Sequence, residues 1–367
     1  MMPPAASFPV YAQRSTADSF HNRLIDIVKV ALIKIFVSPY ATVCELYCGK
    51  VPNEEKWDES QIGHYIGFDV AASGVNEKKE AWESQRKFYV TELFELDPCT
   101  EDLKTYLLDK DTQADIVFCM HNFQLCFETE AKARKLLHSV SSLLKPGGYF
   151  LGITTDSSTI WAKYQKNVEA CHHKGIGMKP NSVPNCIRSE SYTIAFEVEE
   201  EKFPFFGMKY QLKFANDISA ETHCLVHFPS LIRLAREAGL DYVEIQNLTD
   251  FYDDYRAQFV GMLQDANHNI TDSRGRLLPR AYDVLGLFTT FIFQKPDPDV
   301  VPPLMTPFLV NRIYNDDEMT HMDSQGLGWR DDERNGQPDS SQGLGKITEQ
   351  KGILGPGPAE LRFPEAL

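Results

Sequence analysis

The run Val43-Cys44-Glu45-Leu46-Tyr47-Cys48-Gly49-Lys50, with Asp69 twenty positions past Gly49, constrains this chain more than any other feature. An apolar segment ends in an acid and a tight turn holding a single glycine. A second apolar segment, His64-Tyr65-Ile66-Gly67-Phe68, then ends in Asp69. Strand, turn, helix and a carboxylate tipping the next strand make a βαβ nucleoside site, in which the acid grips ribose hydroxyls. The G-x-G-x-x-G spacing that cradles a pyrophosphate is absent. A nucleoside without phosphate needs less exposed backbone, so S-adenosylmethionine suits this turn better than NAD.

The surrounding sequence alternates in the same way. From Asp18 to Phe36 the residues Leu24, Ile27, Val28, Ala31, Leu32 and Ile35 share one helical face, and Pro39 closes the helix. Strand signals follow at Val43–Tyr47, Tyr65–Phe68, Phe88–Val90 and Ile116–Cys119. Glu130 to Leu144 is amphipathic, with Ala133, Leu136, Leu137, Val140 and Leu144 inward; Lys145-Pro146-Gly147-Gly148 then turns the chain sharply into Tyr149–Ile153. Strands alternating with helices require a parallel sheet covered on both faces. Later, Ile194–Val198 and Met208–Phe214 read as paired strands and Leu231–Ala238 as a helix ended by Gly239. Tyr242–Ile245 and Phe288–Phe293 read as further strands, while Asp250 to Tyr282 is polar and without a clear period.

Past Pro296 the apolar periodicity is lost, and Ser324-Gln325-Gly326-Leu327-Gly328 recurs at Ser341–Gly345. Residues 1–17 read as a flexible start, 18–296 as the folded domain and 297–367 as a largely disordered tail. The repeat is either plain low-complexity sequence or a docking peptide for a protein partner.

Apolar content of 43% supplies a core, while a net charge of −15 argues against indiscriminate polyanion binding. A local basic pocket for one nucleotide remains compatible with that charge. No run approaches the roughly 18 apolar residues of a membrane span, and Met1-Met2-Pro3-Pro4 opens no signal peptide. Eight scattered cysteines without C-x-x-C spacing read as reduced intracellular thiols. Cys171-His172-His173 reads as a polar loop rather than a zinc site, since adjacent ligands rarely close a tetrahedron. No metal is expected.

Several blocks in order resemble the mRNA cap guanine-N7 methyltransferases, and within them the divergent second plant form. They are Ser141-Ser142-Leu143-Leu144-Lys145-Pro146-Gly147-Gly148-Tyr149-Phe150-Leu151-Gly152, Phe206-Gly207-Met208-Lys209-Tyr210, Leu225-Val226-His227-Phe228-Pro229, Asp250-Phe251-Tyr252-Asp253-Asp254 and Thr290-Phe291-Ile292-Phe293-Gln294-Lys295. The resemblance runs from about Ser19 to Lys295. It implies a Rossmann-like class I methyltransferase, an α/β fold with a seven-stranded mainly parallel sheet, helices on both faces and a small cap-binding insertion. It implies methyl transfer from S-adenosylmethionine to guanine N7 at the capped 5′ end of mRNA, in the nucleus. That nitrogen has a free lone pair and no proton to lose, so orientation suffices and no catalytic base is needed.

For the methyl donor, the resemblance assigns Asp69 to the ribose and Glu45 to the strand end near the methionine moiety. Glu92 falls where an aspartate would meet the adenine amino group. Tyr47 and Gly49 lie in the first turn, where Tyr47, Val51 and Pro52 replace glycines. Met120 and Leu125 belong to the segment after the fourth strand, where Gln124 and Leu125 replace a histidine and a tyrosine. The amino-terminal helix has Ile25 or Asp26 where a lysine is expected. For the cap, the resemblance assigns Asn22, the basic Lys50 and Lys56, Gln124, and Phe288 in place of a tyrosine. His223 stands at the guanine-reading glutamate, with Glu221 two residues earlier. These departures leave two alternatives, a weak or inactive relative that binds RNA or a partner, and a methyltransferase for another small acceptor.

Overall fold

Strand β1 (Thr42–Leu46) is the axis of the larger sheet. It pairs in parallel with β2 (His64–Asp69) on one side and with β4 (Ala114–Cys119) on the other. Its last four residues are all buried, because both faces are covered; Val43, Cys44 and Leu46 are apolar, and the buried Glu45 is matched by the Tyr65 hydroxyl. Strand β3 (Val90–Glu95) extends the sheet beyond β2, and β5 (Leu144–Thr155) extends it beyond β4. Strand β11 (Phe288–Gln294) runs antiparallel beside β5, and β10 (Asp241–Asn247) closes that edge. The order β10-β11-β5-β4-β1-β2-β3 is the expected seven-stranded, mainly parallel sheet. The computed structural model describes residues 19–49, 54–71, 87–172, 184–197, 202–215, 217–256 and 270–299. The start at 1–17, and the tail beyond residue 299, lie outside them.

Successive strand residues point to opposite faces, which divides the interior into two cores. On one face α1 (Phe20–Phe36), α2 (Glu54–Glu59), α4 (Ser157–His172), α6 (Leu248–Asp254) and α7 (Pro279–Leu285) bury residues such as Leu24, Trp57, Trp161, Phe251 and Val284. On the other, α3 (Glu130–Leu143) and α5 (Phe228–Glu237) cover the sheet with Leu136, Leu137, Val140, Leu231 and Leu234. A second, antiparallel sheet in the order β6-β7-β8-β9 comprises Cys186–Arg188, Tyr192–Phe196, Lys209–Phe214 and Glu221–Cys224. Its Ile194, Tyr210 and Leu212 join the first core.

The structure corrects three local expectations. Strand β3 starts at Val90, paired to His64, and runs on to Glu95; Phe88, taken as its beginning, is fully exposed. The aromatic run drew the strand forward, but the register with β2 sets its position. Lys145-Pro146-Gly147-Gly148 is no sharp turn: β5 passes through it, with an irregularity opposite Ala114 and Ile116 and Gly147 at φ +79°. That is a bulge supported by glycine. Cys171 and His172 end a helix rather than lying in a loop, with Cys171 buried; His173 lies outside the described residues. The helix itself carries little apolar periodicity. Its start is marked instead by Asp156, whose carboxylate accepts the Thr159 N–H at 3.0 Å.

Helix α5 holds Pro229 in its first turn and is capped by His227, whose Nδ1 accepts from Ser230 N–H at 3.2 Å. Burial lowers the His227 pKa from the usual 6.5 to about 4, so the fold holds this ring neutral. Its contribution to stability is complete above pH 6.5 and is lost as the pH falls from 6.5 towards 4, because the unfolded chain binds the proton first. Urea midpoints across that window will fall more shallowly in H227N, which keeps a capping side chain, than in the natural protein.

Candidate active site

The carboxyl ends of β1, β2, β4 and β5 share one edge of the sheet. From β1 the order runs outward to β2 on one side and to β4 on the other, which makes their junction the switch point where such sheets bind ligands. At this edge lies a cleft with an empty volume, counted to its open mouth, of about 910 Å³. Asn22 and Ile25 of α1 form one wall, and Met120, His121 and Gln124 reach it from beyond β4. Thr154 and Thr155 end β5 at its base, Phe288 begins β11 beside them, and Glu221 and His223 face it from β9.

Five of the seven residues assigned to the cap therefore share one cavity: Asn22, Gln124, Glu221, His223 and Phe288. Glu221 and His223 do so together because strand residues two apart point to the same face. The Glu221 carboxylate lies 3.5 Å from His223 Nε2, and Gln124 Nε2 lies 2.7 Å from His223 Nδ1. Tyr210 stacks on the His223 ring at 5.5 Å and donates its hydroxyl to Thr155 Oγ1 at 2.9 Å. Glu128, at the end of the short turn that carries Gln124, bonds Lys132 at 2.6 Å and Lys209 of β8 at 2.7 Å. Those two ammonium groups hold its carboxyl at about 2 and tie the turn to the second sheet. Lys56 does not line the cleft; its ammonium bonds Glu59 of the same helix at 3.1 Å. Lys50, Val51 and Pro52 lie outside the described residues.

Asp69 sits buried at the tip of β2. Its Oδ2 accepts Gly49 N–H at 2.6 Å and its Oδ1 accepts Ala71 N–H at 2.9 Å, leaving a second lone pair on each oxygen. Glu45, buried near the end of β1, accepts the Tyr65 hydroxyl at 2.6 Å. Tyr47 adopts φ +53°, the left-handed conformation for which glycine is suited. Its ring does not line the cleft. It is buried in the second core, with the hydroxyl 3.2 Å from Asp97 Oδ1 and 3.0 Å from Cys99 Sγ. Burial, then Cys99 and Asp97, push the phenol pKa well up. Met120 lies on the cleft, whereas Leu125 is half-buried in the neighbouring turn and does not line it.

Glu92, expected at the adenine, does not line the cleft. It occupies the middle of β3, opposite Ile66, and its carboxylate is spent towards the amino-terminal edge of the sheet. There it accepts Leu108 N–H at 3.0 Å and approaches His64 Nε2 at 2.9 Å. The acid beyond the carboxyl end of β3 is Asp97, which accepts Cys99 N–H at 2.9 Å besides the tyrosine hydroxyl. Lys29, which the sequence reading did not single out, lies one helical turn after Ile25 and so on the same face. Its buried ammonium lies 2.8 Å from both Asp26 Oδ1 and His121 Nε2. Thr154 Oγ1 and His223 Nε2 are buried on cleft residues without a hydrogen-bond partner. Among the described residues no cluster of three His, Cys, Asp or Glu side chains is arranged to hold a metal ion.

Comparison with known proteins adds an independent finding. The profile of the mRNA (guanine-N(7))-methyltransferase domain matches residues 8–296. The chain is 61% identical over 353 residues to mRNA cap guanine-N(7) methyltransferase 2 of Arabidopsis thaliana, covering 96% of this chain and 98% of that one. It is 58% identical over 343 residues to the protein of the same description from Oryza sativa subsp. japonica, covering 94% and 98%. With mRNA cap guanine-N(7) methyltransferase 1 of Arabidopsis thaliana it shares 26% over 300 residues, 77% of each chain.

The two carboxylates of β3 and its exit are separable by substitution. D97N will weaken binding of S-adenosylhomocysteine by about tenfold or more, the loss of one hydrogen bond to a charged group. E92Q will leave that affinity within about twofold and lower the thermal midpoint, because only structural contacts are touched. Isothermal calorimetry and a melting curve on the same samples decide both.

Proposed function

The chain belongs to the mRNA (guanine-N(7))-methyltransferase family, and on that premise we propose that the cleft methylates guanine N7 of capped mRNA with S-adenosylmethionine as co-substrate. The observation that carries this reading is the meeting of Asn22, Met120, Gln124, Glu221, His223 and Phe288 in one cavity at the sheet's switch point. The donor's contribution is an electrophilic methyl on a sulfonium: its S–C bond breaks as the N7 lone pair forms the new N–C bond, and the bonding pair stays on sulfur. The remaining work is positioning. The two spare lone pairs of Asp69 suit ribose hydroxyls, and Asp97 suits the adenine amino group. Lys29, behind the wall formed by α1, supplies a cation towards a carboxylate. The purine becomes cationic during transfer, and Asp217 and Glu221 on the cleft wall favour that charge.

No proton moves in this reaction, so no residue is assigned as acid or base. Nuclear action on nascent transcripts accords with this reading and belongs to the proposal. So does a partner for the repeated Ser-Gln-Gly-Leu-Gly peptide of the tail, and the division of the chain at about residues 17 and 296. A second reading, a cap-binding relative without activity, is favoured by one observation. The hydroxyl of Tyr47 already engages Asp97 Oδ1, an acceptor the adenine end would use.

Purified full-length protein given labelled S-adenosylmethionine and GpppN-capped RNA will yield m7GpppN; absence of product beside an active control enzyme overturns the enzymatic reading. D69A will weaken donor binding by about 1.5–3 kcal/mol, the worth of charge-assisted contacts to ribose. Calorimetry with the donor alone measures it, and unchanged affinity would place the nucleoside elsewhere.

A further inference from the structure

A cationic strip borders the cleft on one side, although the chain as a whole carries a net charge of −15. We propose that Arg280 and Arg274 hold the phosphodiester backbone of the transcribed nucleotides that follow the cap. The RNA body is then gripped on the face made by α1, α7 and the hairpin that precedes α7. The inference rests on the preceding reading that a capped RNA enters this cleft.

Arg274, Arg276 and Arg280 lie in the stretch 274–280, which contains no acid. The chain leading into it folds as a tight hairpin. Thr271 bridges Leu277, Leu278 N–H donates to Ile270 O at 2.9 Å, and Gly275 takes φ +71° at the tip. The Asp272 carboxylate accepts the N–H groups of Arg274 at 2.8 Å and Arg276 at 3.0 Å. Tyr252 of α6 donates its hydroxyl to Gly275 O at 2.8 Å, which fastens the tip to the domain. Asp272 also takes the Arg276 side chain, with Nε at 2.9 Å. Arg274 and Arg280, both exposed, have no acidic partner among the described residues. The backbone is thus fixed while two of its charges stay uncompensated.

Arg280 is held by a ring instead of an acid. Its guanidinium lies 4.5 Å over Phe20, the first residue of α1. A guanidinium stacked by its face keeps its N–H donors directed outward in the plane, where they can fork a phosphate. Phe20 is itself buried, so the stack sets the arginine in place before any ligand arrives. The next two residues, His21 and Asn22, line the cleft. Helix α7 ends at Leu285, shortly before Phe288, which lines it too. The arginines therefore continue outward from a wall that the cap would touch. The wall made by the second sheet carries Asp217 and Glu221. A polyanion leaving the cleft is repelled on that side and attracted on this one. Contacts of this kind hold the backbone and carry no base preference.

The test compares methyl transfer to the dinucleotide GpppA with transfer to a capped ten-nucleotide RNA. The natural protein will show a KM on the RNA about fivefold or more below that on the dinucleotide, at similar kcat. The double variant R274A/R280A will lose most of that difference by raising KM on the RNA alone. R280K, which keeps the charge and loses the fork, will fall between. R233A, an exposed arginine on α5 across the sheet, will leave both KM values unchanged. Fluorescence anisotropy with a 5′-hydroxyl ten-nucleotide RNA reads the same face without turnover. There the slope of log affinity against log salt will shallow by about 0.7 for each arginine removed. Melting curves accompany each variant. The inference is overturned if the natural protein treats dinucleotide and RNA alike, if R233A loses as much as the double variant, or if the double variant loses rate equally on both substrates. An unchanged salt slope in the folded double variant also overturns it and assigns the strip to an acidic protein partner. Failure of the natural protein to methylate either substrate while it still binds the RNA would instead overturn the function on which the inference rests.

Discussion

Parallel pairing on both sides of β1 is the constraint from which the chemistry follows. Because β2 and β4 run in its direction, their carboxyl ends and their exit loops converge on one edge. The connections leave β1 and β4 towards opposite sides, so the helices above them separate and a crevice remains. Burial of the last four residues of β1 leaves this arrangement little room to shift. Close packing across β4 and β5 adds to it: a Cβ at Gly152 would stand only 2.0 Å from Cys119 O. The residues that line the cleft are thus carried on the ends of a core that does not deform.

On this scaffold the donor side departs from a glycine-rich turn without losing its backbone path. Tyr47 takes the left-handed conformation that a glycine would take, and the energetic cost is offset by burying its ring in the second core. The tyrosine then does two things at once. It keeps its bulk out of the cleft, and it ties the first turn to Asp97 and Cys99 at the exit of β3. A substitution that reads in sequence as an obstruction becomes in space a strut.

The cleft also draws on groups from distant parts of the chain. The amino-terminal helix brings Asn22, Ile25 and, one turn on, Lys29. The second sheet brings Glu221 and His223. Glu128, bridging Lys132 and Lys209, fastens the turn bearing Gln124 to that sheet. The acidity of the whole chain does not prevent nucleotide recognition, because charge is sorted locally: a buried ammonium behind one wall and carboxylates on the other.

Sequence alone determined the α/β class, the presence of the main strands from β1 to β5 along the chain, and the place of Asp69 at the tip of the second. Strong local patterns, unbroken apolar runs and an acid at a strand end, do not depend on what packs against them. It also marked Asn22, Gln124, Glu221, His223 and Phe288, which the fold brings to one cavity, Glu221 and His223 by strand alternation on β9. The tertiary structure decided what local pattern cannot carry. The register of β3 against β2 left Glu92 in mid-strand and Asp97 beyond the strand's carboxyl end. The exit direction of the first turn sent the Tyr47 ring into the core. The approach of Gln124 to His223 joined the turn after β4 to β9. Each of these depends on contacts between residues far apart in the chain, and such contacts exist only once the sheet has assembled.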